Sequence, residues 1–362
     1  MVDILQLLVS MVPTNSSDLY FTAGAPVQRR VNGTCQPASD LLNAADTRAI
    51  AEFFMSDGQK EEFRVTREMN LAYSIPNVGR YRVNIFVQRG SVGLVIRLVK
   101  IQIPTMDDLG LPAMLRELVM LKKGLVLVTG PTGTGKSTTL ASMIDYRNES
   151  ESGHILTVED PIEFVHPHKK SLVTQREVGM DTESYHAALK NALRQAPDVV
   201  LIGEIRDAVA MESAITFAET GHLVLGTLHT TSAVKTIDRM IDALPADQRE
   251  QTKGFLAQSL IAVITQVLVK RPEGRGRRAI CEVMVMNRAV AKLIQTDQTH
   301  QIPAQLQTGK DIGMEMMDQA LLRAIKAKEV DADDAYNYAA DKRAFSKFVV
   351  DRSLLPKFET LE

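Results

Sequence analysis

Eight consecutive residues, Gly130, Pro131, Thr132, Gly133, Thr134, Gly135, Lys136 and Ser137, fill the spacing G-x-x-x-x-G-K-[ST], and Thr138 extends the run of hydroxyls. Those residue types carry chemistry for a polyphosphate. The glycines let backbone N–H groups curl around a phosphate and a following helix presents its positive end. Lys136 neutralises β- and γ-phosphate charge, and Ser137 supplies the hydroxyl that ligates Mg²⁺. The flanks agree. Leu125 to Val128 is an apolar strand-like run before the loop, and Leu140, Met143 and Ile144 recur on one helical face after it. A glycine-rich turn with a chance lysine would lack that strand–loop–helix context.

Holding a phosphate differs from cleaving one, and two acidic segments favour cleavage. Ile155 to Val158, after His154, is apolar apart from Thr157, and Glu159, Asp160 and Glu163 follow it around Pro161. One of these carboxylates can polarise an attacking water. Val199 to Ile202 is a second apolar run, ending at Gly203 and Glu204. Glu204 can reach Mg²⁺ directly or through water. Open α/β sheets bind ligands at the carboxyl ends of their strands, which is where both segments put their acids. The competing reading for Glu159 and Asp160 is capping of the next helix.

Elements that position these residues follow from the pattern. Leu125–Val128, 155–158, 199–202 and 223–225 are short continuous apolar runs separated by amphipathic stretches, as a parallel sheet buried on both faces requires. Residues 114–345 therefore read as an α/β ATPase domain. From about Ala246 the pattern is mostly helical, interrupted by a turn at 271–278 and a strand at 279–285. Residues 1–103 read instead as a smaller α+β domain, with a helix marked by Ile4, Leu7, Leu8 and Met11. Strands are expected at 18–22, 28–31, 71–75, 80–88 and 92–99, the last three joined through turns at 77–79 and 89–93. The Pro, Gly and Asp residues of 104–113 mark an interdomain linker, and 346–362 reads as a frayed tail.

Composition bounds the rest. At 362 residues with 45% hydrophobic content the chain can bury two cores, and 42 Lys+Arg against 44 Asp+Glu leave a net charge of -2. That balance argues against a nucleic-acid motor, and the compact basic cluster Arg275, Arg277 and Arg278 is most simply a solvated turn. Two distant cysteines, Cys35 and Cys281, exclude a disulfide scaffold and a zinc ribbon and fit a reducing, cytoplasmic compartment. No run approaches the ~20 apolar residues of a membrane span, so an association with a membrane would need a partner.

Longer motifs carry a family resemblance. Arg194 to Asp207, containing Pro197, Asp198, Gly203, Glu204 and Arg206, resembles the signature of the secretion ATPases of type II secretion and type IV pili. The acidic turn ending in Glu163 is similar to that family's Asp box, and Glu219 to Thr230 to its His box. Arg80, Arg82 and Asn84, with Ile96 and Arg97, resemble segments that give arginine fingers to a neighbouring subunit. The resemblance spans nearly the whole chain. Only 129 residues before the phosphate loop and no C-x-x-C motif point to the pilus retraction branch, as do His300 to Pro303 and Gly313 to Ala320. Ala291 stands where that branch has an arginine. With residues 174–179 and the longer C-terminus, this leans toward an accessory subunit that needs a partner retraction ATPase.

The resemblance implies a RecA-like ATPase domain with a PAS-like N-terminal domain, in a hexamer at the inner-membrane pilus base. ATP and Mg²⁺ would be its ligands, pilus retraction and twitching motility its output, and the membrane platform protein its partner. Glu163 would activate water, Glu204 position Mg²⁺, and His229 sense the γ-phosphate, with His222 beside it in the same motif. Arg82 and Arg97 would act on the neighbour's site, where the bare residues read as solvated strand charges. Closure would turn about the linker near Pro104 and Pro112. A non-hydrolysing adaptor is the other function class the residues leave open, disfavoured by the intact acids at 163 and 204.

Overall fold

The computed structural model describes residues 3–31, 33–76, 78–99, 102–274 and 276–355, and the chain divides into two compact units. The first comprises the residues up to Gln102 together with Ile162–Val165; the second holds the remainder.

In the first unit α1 (Ile4–Met11) leads into β1 (Ser16–Phe21), β2 (Pro26–Val31) and β3 (Thr34–Leu41). Next come α2 (Ala44–Phe54), α3 (Asp57–Thr66), β4 (Glu68–Ile75), β5 (Gly79–Gln88) and β6 (Ser91–Val99). The strands form one antiparallel sheet in the order β3-β2-β1-β6-β5-β4, a PAS-like α+β arrangement. Alternation divides its faces. Leu19, Ile96, Val83 and Leu71 are buried with Leu7, Leu8, Ile50 and Phe54 of the helices, while Asp18, Arg97 and Arg82 fall on the other face. Helices α2 and α3 start at capping boxes, Asn43 with Asp46 and Ser56 with Gln59, which satisfy the first free N–H groups. Hydrophobic spacing does not anticipate α3, which buries no residue, or β3, an edge strand containing Pro37; α2, absent from the expected elements, does carry a helical stripe in Thr47, Ile50, Ala51 and Phe54. The expected turn at 77–79 includes Asn77, which lies outside the described residues.

The second unit begins with α4 (Met114–Val119), β7 (Gly124–Thr129), α5 (Lys136–Ser150), β8 (His154–Glu159) and β9 (Leu172–Glu177). It continues through α6 (Tyr185–Ala192), β10 (Val199–Ile202), α7 (Ala208–Glu219), β11 (Leu223–Leu228), α8 (Ala233–Asp242) and α9 (Arg249–Ser259). The hairpin β12 (Leu260–Lys270) and β13 (Arg277–Val285) precedes five short helices: α10 (Arg288–Gln295), α11 (Ile302–Thr308), α12 (Met317–Lys326), α13 (Ala332–Tyr338) and α14 (Lys342–Ser346). The sheet runs β13-β12-β7-β11-β10-β8-β9, parallel except for β13. Every residue of β7, β10 and β11 is buried, so both faces of the centre are covered.

One expectation about this unit is corrected. Residues 260–270, read as helical, are a strand: β12 follows α9 with no Gly or Pro between them, and a continuous apolar run does not distinguish a buried strand from a helix. The stretch 104–113, expected as an interdomain linker, groups with the second unit. Met106 is buried in its core, Asp108 and Thr105 cap one another, and Arg116 bonds Asp107 at 2.5 Å. Near the other end Phe345 is fully buried, and the N–H groups of Val350 and Asp351 donate to the two oxygens of Asp333. Residues 356–362 of the expected tail lie outside the described part.

Candidate functional site

Parallel strands in register bring their carboxyl ends to one edge. Val128 pairs with Thr227 and Ile202 with both Val158 and Gly226, so the segments leaving β7, β8, β10 and β11 emerge side by side. Those segments carry the phosphate loop, Asp160, Glu204 and His229.

The loop from Gly130 to Gly135 climbs from β7 to α5 through three glycines of positive φ, 141° at Gly130, 80° at Gly133 and 86° at Gly135. Gly130 is required for a second reason: a Cβ there would stand 2.3 Å from the backbone oxygen of Gln266. Ser137 lies exposed in the first turn of α5, with Thr138 half-buried beside it. Lys136 is buried and folded back on its own loop, donating to the carbonyls of Gly130 at 2.8 Å and Pro131 at 3.1 Å. Burial pulls its ammonium below the ordinary lysine value, with the Glu204 charge opposing. Thr132 is exposed on the loop, and the Thr134 hydroxyl closes the turn onto the Pro131 carbonyl at 2.9 Å.

His229 joins this loop to the acid of the neighbouring strand. Its Nδ1 is 3.4 Å from Lys136 Nζ and 3.5 Å from the Thr132 hydroxyl, and its Nε2 is 2.8 Å from Glu204 Oε1. An ammonium can only donate, so Nδ1 accepts and the Nε2–H donates to the carboxylate. Arg206 takes the other oxygen of Glu204 at 2.7 Å and reaches Asp160 at 3.5 Å, tying the ends of β10 and β8 together. Burial disfavours the ionised carboxylate of Glu204, but the Arg206 bond and charge, with His229 after them, hold it below the ordinary glutamate value. Lys136, His229, Glu204 and Arg206 thus form one chain of contacts from the phosphate loop outward. Glu159 is engaged elsewhere, accepting from Thr157 at 2.7 Å and Gln175 at 3.2 Å.

The remaining residues of interest are not members of this chain of contacts. His222 precedes β11 at the opposite edge of the sheet, about 20 Å of strand from His229 at ~3.3 Å per residue. There it contacts Thr220 and the Phe217 carbonyl, each at 3.1 Å, and stacks edge-on against the Phe217 ring. Glu163 is exposed between buried Ile162 and Phe164, in the segment that groups with the first unit. In that unit Arg97 is paired across the sheet with Asp18 on one side and Arg82 on the other. Buried Asp18 accepts from Arg97 Nε at 2.8 Å, the main reason that guanidinium holds its proton more tightly than usual; the Glu163 charge adds to it.

Sequence reasoning missed Arg206 as a partner of Glu204, Asp18 as the anchor of Arg97, and Gln266. The Gln266 amide, almost fully buried, donates to the Thr134 carbonyl at 2.6 Å and accepts from the Thr139 hydroxyl at 2.7 Å. Its signal was a lone amide inside an apolar run, unreadable once that run was taken for a helix.

Oxygen donors are what Mg²⁺ takes. Ser137 and Glu204 fit that preference, and among the described residues no three His, Cys, Asp or Glu side chains gather into a metal cage. A cation that keeps several waters and binds mainly through nucleotide phosphates needs no such cage.

The sequence matches the type II/IV secretion system protein family over residues 3–332. The chain belongs to that family. Two relatives from Pseudomonas aeruginosa are each 44% identical: the type IV pilus ATPase PilU, over 92% of this chain and 88% of that protein, and the type IV pilus retraction ATPase PilT, over 88% and 93%. Among solved structures, the pilus retraction motor PilT with bound ADP superposes with a TM-score of 0.87 at 40% identity. That match covers 95% of this chain and 99% of the other. Its carboxyl-edge loops therefore sit on a fold on which a nucleotide has been seen. Among the described residues no helix is long and apolar enough to cross a membrane.

Proposed function

We propose that this secretion-family protein is an ATP-hydrolysing motor for type IV pilus retraction. It would work as the hexameric ring that the family resemblance implies, and the reading needs only that each site meet a neighbouring copy.

ATP is held by the phosphate loop, with Lys136 and the N–H groups of residues 133–138 on its β- and γ-phosphates. Ser137 and Glu204, the latter directly or through water, would hold Mg²⁺, which would neutralise phosphate charge. Glu163 orients and deprotonates the water that attacks the γ-phosphorus, as the bond to the β–γ bridging oxygen breaks to leave ADP and phosphate. His229, already bonded to Glu204 and facing Lys136, reports whether a γ-phosphate is present. Arg82 and Arg97 stabilise the developing charge in a neighbouring copy's site, an effect of order ~10³-fold or more in other phosphate-loop enzymes. His222, at the far edge of the sheet, is left out of the chemistry in this reading.

The observation that carries the proposal is the unbroken chain Lys136–His229–Glu204–Arg206 beside the phosphate loop. Work would be done on the platform protein at the cytoplasmic face of the inner membrane. A second reading, an accessory subunit acting with a partner retraction ATPase, is favoured by the longer match to PilU, 335 aligned residues against 320 for PilT. Expression in a piliated strain lacking its own retraction ATPases tests both. Twitching restored by the wild type and not by Lys136→Ala supports the motor; twitching restored only when a partner ATPase is co-expressed supports the accessory; twitching unaffected by either overturns the proposal.

A further inference from the structure

The phosphate loop is supported from a strand that no catalytic motif includes. Thr129 of β7 and Thr265 of β12 are register partners whose hydroxyls meet at 3.0 Å, and the next residue of β12 is Gln266. Its amide spans two parts of the site, giving a proton to the Thr134 carbonyl and receiving one from the Thr139 hydroxyl on α5. Because the Thr134 carbonyl can only accept, the end of the amide that faces the loop is the NH₂, which leaves the oxygen to receive the Thr139 hydroxyl. The backbone oxygen of the same residue closes off Gly130.

A trans peptide holds its C=O and N–H in opposite directions. Anchoring the Thr134 oxygen to β12 therefore turns the Gly135 N–H away from that strand. We propose that Gln266 is a positioning residue for nucleotide binding, which sets the direction of the Gly135 N–H toward the β-phosphate. The inference rests on the nucleotide-binding reading of the loop. Since ADP and ATP share the β-phosphate, the residue acts on affinity for both and little on the chemical step.

Titration calorimetry with ADP, paired with kcat and KM for ATP, tests it on the full-length protein. Gln266→Leu leaves the Thr134 carbonyl without its donor and is expected to weaken ADP binding about tenfold and raise KM similarly, with kcat changed less than about threefold. Gln266→Glu supplies a second arm. As a carboxylate it repels the carbonyl, but once protonated its O–H donates to Thr134 and its C=O accepts from Thr139. Because burial raises a carboxyl's pKa, its ADP affinity should recover toward the wild-type value as pH falls from about 8 to about 6, beyond any change in the wild type. A merely structural residue would lower the melting temperature without this pH-dependent recovery. Wild-type affinity in Gln266→Leu, or no recovery in Gln266→Glu, overturns the inference while leaving nucleotide binding intact. Absence of ADP binding by the wild type would overturn both.

Discussion

Gly130→Ala is the most discriminating single change in the phosphate loop, because its cost can be set against Gly133→Ala a few residues on. Both glycines have positive φ, 141° and 80°. A Cβ at Gly133 meets nothing within 4 Å, so alanine there costs only the backbone penalty, about 1–2 kcal/mol. At Gly130 the Cβ would fall 2.3 Å from the Gln266 oxygen and 2.9 Å from the Thr134 hydroxyl. The first of these is backbone of a central strand and cannot swing aside. Strain of order 1–3 kcal/mol is joined by about 1 kcal/mol for the Gln266–Thr134 bond that must stretch as the loop moves off, about 2–4 kcal/mol together. At roughly 2–4 °C per kcal/mol for a domain of this size, calorimetry should show the second unit melting about 4–16 °C lower for Gly130→Ala and about 2–8 °C lower for Gly133→Ala. Equal shifts for the two variants, or a larger one at Gly133, would refute the close packing of β12 against the loop.

Other expectations follow from the site and its surroundings. Glu204→Ala should lower kcat by about 10³-fold while ATP affinity, measured by titration calorimetry, stays within about threefold; turnover at the wild-type rate would remove Glu204 from the mechanism. Arg97→Ala and Lys136→Ala should each be nearly inactive, yet mixed in equal amounts they should regain about a quarter of wild-type activity, as random neighbours complete one another's sites. No recovery on mixing would argue against arginines acting in trans. His166 is buried with its Nδ1 unpartnered, and burial pushes its pKa down to about 4, with Asp145 opposing and Lys169 assisting. The folded state thus resists a proton that the unfolded chain takes up below its ordinary value near 6.5. Stability falls as pH drops from about 6.5 to 4, by about 3 kcal/mol in all. Denaturant unfolding across that range should show the loss in the wild type and a correspondingly flatter profile in His166→Leu.

Legibility in the sequence tracked local pattern. Glycines at fixed spacing, a strand before them and a helix after them made the phosphate loop readable, and apolar runs ending in acids located the carboxyl edge of the sheet. Strand 260–270 was not readable because nothing punctuates its junction with α9, and its loss hid Gln266, whose role depends on lying beside β7. The segment 104–113 has linker composition, but Met106 buries itself and the neighbouring turns satisfy their own polar groups. Composition does not reveal such docking. Glu204 was readable as an acid at a strand end; its pairing with His229 and Arg206 was not, since these sit on other loops and meet only through sheet register. Asp18 looked like an ordinary polar residue in a strand, and only the antiparallel pairing of β1 with β6 makes it the anchor of Arg97.

The central claim is that this chain hydrolyses ATP at sites assembled between copies of itself. Specific Mg²⁺-dependent ATPase activity of the purified protein, followed across a series of protein concentrations with Lys136→Ala as the blank, tests it most directly. The account predicts activity that rises with concentration until assembly is complete and is absent from the blank. Activity independent of concentration would contradict sites built between subunits, and ATP binding without hydrolysis at any concentration would contradict an autonomous motor.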